Sequence, residues 1–382
     1  MKSKTSLRDF PSASQRRKFL EKELGVKLDN IGNFTFTEES VNGRNIENLI
    51  GNTQIPLGIA GPLKIRYTIN DIRNTYIPLA TTEGALVASV SRGCKAVSKS
   101  GGAKVFVEDV GMTRGPVFKT KGLEHGLKTK QWIENHIPAI CQVTQKTSSH
   151  LKLLKIDCQI VGRNLFARFY YDTQDAMGMN MATFATQEAV SLIEKKTSAQ
   201  CIALAGNFDI DKKPAWLNFI AGRGKRVWAE VILPKRVVKE ILKTTPGKIV
   251  EVVNTKTHLG SMMSGSLGFN AHFANIIAAI FIATGQDPAH VVEGSLGVTT
   301  AESLANDDLY FSIYLPSLIV GTVGGGTHLP TQKEALAIMQ VESVLEYSRV
   351  AVATVLAGEL SLIASLAEGS LAKAHQRLGR KL

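Results

Sequence analysis

The chain has 382 residues, 44% apolar and 20% charged, enough to bury a sizeable core and to divide into more than one domain. Its net charge of +12 admits nucleic acid, an anionic surface or a substrate rich in phosphates and carboxylates, but the basic residues are spread along the chain and form no aromatic-interleaved block. Cys94, Cys141, Cys158 and Cys201 lie far apart with no Cys-x-x-Cys pair and no His at ligand spacing, which gives no zinc signal and suits a reducing compartment.

Residues 1–45 read as an arm, with a helix at 15–24 capped by Ser14 and stopped by Gly25. No apolar signal core follows the charged amino terminus, and the longest wholly apolar run, 276–283, is too short to span a bilayer. The expectation is a soluble, cytoplasmic protein. Glycines and prolines among the aliphatics of 55–63 predict tight turns, followed by short strands at 63–69 and 76–80. Residues 81–89 read as a strand feeding a helix, with Thr82 as N-cap and Glu83 in the first turn, where it complements the helix dipole or does chemistry. Arg92, Lys95 and Lys99 then form one helical stripe, either solvated surface or a phosphate anchor.

From 104 to 205 the order is β-α-β-β-α-β: strands at 104–107 or 116–119, a helix at 122–141, strands at 152–161 and 164–171, a helix at 181–194, and a buried strand at 201–204. That is the order of a ferredoxin-like unit. Its second helix is entered through Asp175, Ala176, Met177, Gly178, Met179 and Asn180, either an ordinary capped start or an anion site. No Gly-x-Gly-x-x-Gly occurs, so a dinucleotide would not be bound through the Rossmann fingerprint.

The loop 206–214 packs Asp209, Asp211, Lys212 and Lys213 between two apolar runs. It reads as a solvated turn ended by Pro214, or as a rigid mount that offers ammonium groups to an oxyanion. A strand at 226–233 and a helix at 234–242 follow, then Lys256 in a polar stretch. A long helix at 267–284 carries Asn270, His272 and Asn275, and Gly285 ends it. Asp287 before Pro288 is placed to cap the next turn. Gly324, Gly325, Gly326 and Thr327 form bare backbone open to a ligand, or a flexible turn. A last alanine- and leucine-rich helix runs from 343 toward 367, and His375 stands near the C-terminus, surface or flap.

Taken in order from 47 to 375, these segments resemble 3-hydroxy-3-methylglutaryl-CoA (HMG-CoA) reductase. The resemblance rests on Glu47 with Gly51, Pro56 with Leu63, the 80–89 and 112–116 stretches, 162–164, 175–180, 211–214, 222–225, 270–275, 285–287 and 321–327. The wording at 175–180 is similar to the class that includes the animal and archaeal enzymes. The resemblance implies an α+β fold with a large substrate-binding domain, 46–115 and 205–382, built on a central long helix. Into it a ferredoxin-like dinucleotide-binding domain, 116–204, would be inserted.

It further implies reduction of HMG-CoA to mevalonate and CoA by two NADPH, in a homodimer or higher even oligomer with interfacial active sites. Glu83, Lys212, Asp287 and His375 match the reacting groups, and no metal is needed. Arg114, Asp211, Lys213, Lys256 and Asn275 match substrate contacts, and Arg92 and Lys95 match the CoA region. The segments 175–180 and 324–327 match nicotinamide-dinucleotide contacts. Ala205 and Asp209 replace a serine and a cysteine of the animal enzymes. Ser149 stands for the arginine that grips the NADP 2′-phosphate, with Ser148, Lys152 and Arg380 nearby, so NADH is the alternative cofactor. Lys381 stands where the animal enzymes carry a regulatory phosphoserine, so no such switch is expected. The rival readings are a basic nucleic-acid-binding protein and the same fold run in reverse, with NAD-dependent mevalonate oxidation as its role.

Overall fold

Val227, Ala229, Val231 and Leu233 alternate with Arg226, Trp228, Glu230 and Ile232, the period of a strand with one dry and one wet face. That strand lies near the middle of the main sheet. The computed structural model of the protein describes residues 7–68 and 71–369; His375, Arg380 and Lys381 lie outside them.

The strands are β1 (Leu57–Arg66), β2 (Ile72–Ala80), β3 (Ala103–Arg114), β4 (Val117–Lys119), β5 (Lys152–Val161), β6 (Asn164–Asp172), β7 (Gln200–Ala203), β8 (Gly224–Leu233), β9 (Val298–Ser303) and β10 (Leu309–Leu318). The helices begin with α1 (Ala13–Leu24), α2 (Glu38–Val41), α3 (Leu86–Lys99), α4 (Leu123–Asn135), α5 (Ile137–Gln145), α6 (Met179–Thr197) and α7 (Trp216–Ala221). They continue with α8 (Lys235–Val237), α9 (Pro246–Val252), α10 (Ser261–Ser264), α11 (Phe273–Thr284), α12 (Val291–Gly294), α13 (Pro330–Met339) and α14 (Val344–Glu368).

The strand order is β7-β4-β6-β3-β8-β10-β9, with β5 beside β6 and the β1–β2 hairpin beside β3. Pairing is antiparallel except where β1 meets β3. β3 is shared: residues 104–111 pair with β8, and residues 112–114 pair with β6. Two main cores form on either side of this junction. The larger gathers β1–β3, β8, β10, α3, α11 and α14 around Val90, Phe273, Phe311, Leu356 and Leu360. The smaller packs α4, α5 and α6 on β4–β6 around Phe118, Ile133, Phe169 and Ile193. A minor cluster of Ala13, Val41 and Leu49 holds the arm, where Arg16 is buried against Glu38 and the Leu49 carbonyl.

Several expectations are corrected. Residues 57–66 are one bulged strand, not a set of turns, because β2 supplies an antiparallel partner on both sides of the irregularity at Ala60 and Leu63. The α1 cap is Ser12, whose hydroxyl accepts from the Gln15 N–H. The helix expected at 122–141 is two helices, broken at His136 ahead of Pro138, which has no N–H to continue the ladder. β7 is an edge strand with Ile202 61% exposed, not a buried one. The helix at 267–284 starts only at Phe273, and the long central helix is α14, enclosed by α3, α11 and the sheet.

Candidate active site

Lys212 sits in a loop whose backbone is tied down on every side. Gly206 N–H donates to the Gly115 carbonyl at 2.6 Å, and the Thr113 hydroxyl donates to the Asp209 carbonyl at 2.9 Å. Asn218 Nδ2 donates to the Ile210 carbonyl at 3.0 Å, and Lys212 N–H donates to Glu293 Oε1 at 2.6 Å. Asn207, Ile210 and Lys212 all have positive φ, at 62°, 53° and 56°. Each such non-glycine residue costs about 1–2 kcal/mol, and only a surround that over-determines the loop keeps it there. Of the two readings of this loop, the restraints match the pinned mount and not a loose solvated turn.

Lys212 Nζ lies 2.8 Å from Asp287 Oδ2, and Asp287 also caps the turn Pro288–His290 by accepting from the Ala289 N–H. Partial burial pushes the Asp287 carboxyl up. The hydrogen bonds from Lys212 and Ala289 and the charges of His290 and Lys212 outweigh that and hold it below the usual carboxylate range.

Glu83 is not in the first turn of a helix. α3 begins at Leu86 after Ala85 in a left-handed conformation, and Thr81, not Thr82, bonds the Glu83 N–H. The Glu83 side chain is exposed, and its Oε2 accepts from Asn275 Nδ2 at 2.7 Å. Asn275 therefore stands in the site as the partner of an expected acid. His272 precedes α11 as its N-cap residue and does not share a helical face with Asn275.

The expected carboxylate clamp is arranged differently. Arg114 is engaged within the protein: Nη1 lies 3.3 Å from Asp209 Oδ2, and Nε and Nη2 both donate to the Thr183 hydroxyl. Asp209 is fully buried, so this aspartate takes up part of the charge that Arg114 would offer to a substrate. Asp211 is paired with Arg223 at 3.0 Å, while the exposed Lys213 ammonium donates to the Asp211 carbonyl at 2.9 Å. Lys256 is exposed in its polar stretch, which is π-helical from Val253 to Gly260.

The two dinucleotide segments, far apart in sequence, form one cleft of roughly 540 Å³. Met177, Gly178, Met179 and Asn180 line one wall; Gly324, Gly325, Gly326 and Thr327 line the other; Asp287 stands between them. Gln286 fixes the floor with a two-bond clasp on Gly321, accepting from its N–H and donating to its carbonyl, both at 2.9 Å. A Cβ on Gly321 would lie 2.4 Å from Met177 N, whereas one on Gly324 or Gly325 would meet nothing within 4 Å. The cleft thus offers bare backbone and the N-terminal turn of the nineteen-residue α6, a combination suited to a phosphorylated ligand. Asp175 is not in the cleft lining: its Oδ1 accepts the Val344 N–H and latches α14 to this wall.

Lys152 is exposed at the start of β5, opposite Asp172, and His150 bonds Gln174, so the 148–152 turn adjoins the cleft segment. Ser148 Oγ accepts from the His150 N–H. Arg92 is not a free anchor. It donates to the Ser361 hydroxyl and carbonyl and to Ser365 on α14, and burial lowers its pKa; Lys95 is exposed one turn on.

Arg223, His290 and Glu293, all with fully enclosed side chains, were not anticipated as site residues. Arg223 bridges Glu293 at 2.9 Å and Asp211 at 3.0 Å. Asp211, His290 and Glu293 place donor atoms within 4.8 Å of one another, and the cation that two of them hold is this guanidinium. An arginine between two glycines was the only sequence signal, because a buried charge pair leaves no periodic trace.

Fold and site together define a mixed α/β enzyme that sets a lysine–carboxylate pair beside a glycine-walled cleft. The chain belongs to the hydroxymethylglutaryl-coenzyme A reductase family, whose model matches residues 12–380. It is 51% identical over 376 residues to the 3-hydroxy-3-methylglutaryl-coenzyme A reductase of Methanocaldococcus jannaschii, covering 96% of this chain and 92% of that protein. It is 50% identical to the enzyme of the same name from Methanothermobacter thermautotrophicus, at the same coverage. A solved class II 3-hydroxy-3-methylglutaryl-CoA reductase from Streptococcus pneumoniae, bound to NADPH in open conformations, matches with a TM-score of 0.70 and 18% identity. That match covers 95% of this chain and 99% of the other, and it speaks to the fold.

Proposed function

We propose that Lys212 and Asp287, at the rim of the glycine-walled cleft, carry the reduction of HMG-CoA to mevalonate and CoA. The reaction is the family's, and it feeds isoprenoid precursor synthesis. NADPH held in the cleft supplies one hydride to the thioester carbonyl and a second to the aldehyde that follows. The Lys212 ammonium faces the oxyanion that each addition creates, and Asp287 holds that ammonium in place. Glu83, oriented by Asn275, is the proton source for the oxygen. His375 protonates the departing CoA thiolate; this role rests on the resemblance alone. Lys213 and Lys256 hold the substrate carboxylate, with Arg114, already shared between Asp209 and Thr183, lending charge beside them, and Lys95 leads the CoA phosphates.

Residues 116–204 would form the cofactor domain, ferredoxin-like in its β7-β4-β6-β5 strand order, and 1–45 the arm. The wording of 175–180 supports the class of the animal and archaeal enzymes. Lys152 beside the 148–150 turn supports NADPH as the cofactor, with NADH as the alternative because Ser149 carries no charge. We read the enzyme as a cytoplasmic homodimer. The outer face of the large sheet supports self-association: Phe106, Trp228 and Tyr314 stand in one cross-strand row, and Ile232 and Tyr310 in another.

The observation that carries the reading is the 2.8 Å Lys212–Asp287 pair at the cleft. HMG-CoA-dependent oxidation of NADPH, two per CoA released, tests it. The Lys212→Ala variant should keep its fold and lose at least about a hundredfold in kcat. Near-normal turnover would sink the assigned role, and a preference for mevalonate oxidation with NAD would reverse the direction.

A further inference from the structure

Glu293 and His290 are buried titratable side chains that the proposed reaction leaves without a task. Glu293 belongs to the short helix α12, and its Oε1 accepts two bonds: the Lys212 main-chain N–H at 2.6 Å and Arg223 Nη1–H at 2.9 Å. Arg223 carries the restraint onward. Its Nη2 holds Asp211 Oδ1 at 3.0 Å, and its Nε donates to the Thr113 hydroxyl at 2.8 Å. That hydroxyl in turn donates to the Asp209 carbonyl at 2.9 Å. Behind Glu293, His290 Nδ1 lies 3.4 Å from Oε2, and His290 Nε2 lies 3.9 Å from Asp287 Oδ2.

One segment, 287–293, therefore grips Lys212 at both ends. Asp287 holds the ammonium and Glu293 holds the main chain, at a residue whose φ of 56° the chain alone would not favour. We propose that Glu293 is a positioning residue for Lys212, acting as the hydrogen-bond acceptor that keeps its backbone in the left-handed conformation from which Nζ meets Asp287. The inference rests on the reductase reading of Lys212. It assigns the task to the acceptor atom and its reach, not to the negative charge. A glutamine retains that atom at the same distance from the helix. An aspartate retains the charge but draws the acceptor back by one bond, about 1.5 Å.

The test is the order of three variants in steady-state kinetics with HMG-CoA and NADPH, each checked for fold by circular dichroism. Glu293→Gln should keep kcat within about threefold of the parent. Glu293→Asp and Glu293→Ala should each lose roughly thirty- to a hundredfold in kcat, the scale of a misplacement of about 1 Å. The KM for HMG-CoA should move less than about threefold in all of them, since the loss is confined to the transition state. Glu293→Gln falling as far as Glu293→Asp would overturn the proposal, as would a Glu293→Asp enzyme within threefold of the parent. If Glu293→Ala fails to fold, the Gln-against-Asp order decides alone. A parent with no turnover would remove the reductase reading and this inference with it; an active parent with the wrong order removes the inference only.

Discussion

Lys212 and Asp287 divide the work of holding charge at the cleft. The depressed pKa of Asp287 has a direct consequence for stability. A carboxyl held below its unfolded value contributes stability above about pH 3.9, and that contribution is lost as pH falls through the lower folded value. The difference in unfolding free energy between parent and Asp287→Asn should thus be level from about pH 7 to 5 and shrink below about pH 4. Urea titrations across that range would measure it, and a gap that grows toward acid would contradict the pairing. Arg168 acts at the same scale. Its enclosed guanidinium joins β6 to α7 through Asn218 Oδ1 at 2.9 Å and the Gly222 carbonyl at 3.1 Å. Because Asn218 also bonds Ile210, this side chain is one of the links between the smaller core and the Lys212 loop, beside the Phe166–Phe208 ring contact and the Arg114 bridge from Thr183 to Asp209.

Between elements, close backbone approach is the recurring device. α3 crosses α14 at Gly93, where a Cβ would stand 1.8 Å from the Ala357 carbonyl oxygen. Gly93→Ala would force two core helices apart, and overpacking of this kind costs about 1–3 kcal/mol or more. A lowered urea midpoint with unchanged slope is the expected result. Gly321 plays the corresponding part in the cleft, pressed against Met177 N. Gly321→Ala should separate the two walls and raise the KM for NADPH roughly ten- to a hundredfold, while kcat at saturating cofactor changes less. Equal losses in both constants would place Gly321 in the chemistry instead. α14 shows a third device. Its Glu359, fully buried, accepts from the Ala271 and His272 N–H groups at 2.6 and 3.0 Å, fixing the entry to α11 and with it Asn275.

At the scale of the molecule, the large sheet has one face packed on α14 and another left open. Phe106 is 56% and Ile232 48% exposed on that open face, beside Trp228 and Tyr310. Contiguous exposed aromatics of this kind mark interaction surfaces. A charge placed among them should break a dimer formed there: Phe106→Glu should run as a monomer in light scattering and lose at least about tenfold in turnover. A variant that remains dimeric would move the interface elsewhere.

Much of the architecture was legible from local pattern. β5 and β6 fall at or within one residue of the expected bounds because two apolar-rich runs are separated by a Gly162–Arg163 turn. The Gly285 stop and the Asp287 cap follow from short-range backbone sterics and are where they were expected. The candidate site was legible only as a set of motifs. Nothing local distinguishes a solvated Lys212 loop from a pinned one, since its restraints come from Gly115, Asn218 and Glu293, distant or apolar-flanked in sequence. The same holds for Arg114 and Arg92, whose donors are taken by Asp209 and Ser361. The sequence by itself determined the locally marked elements, such as β5, β6 and the ends of α11 and α14, and the chemical types that meet at the cleft, because caps and turns act over a few residues. Only the tertiary structure decided which charges are free and which are already paired, because pairing depends on contacts between residues far apart in the chain.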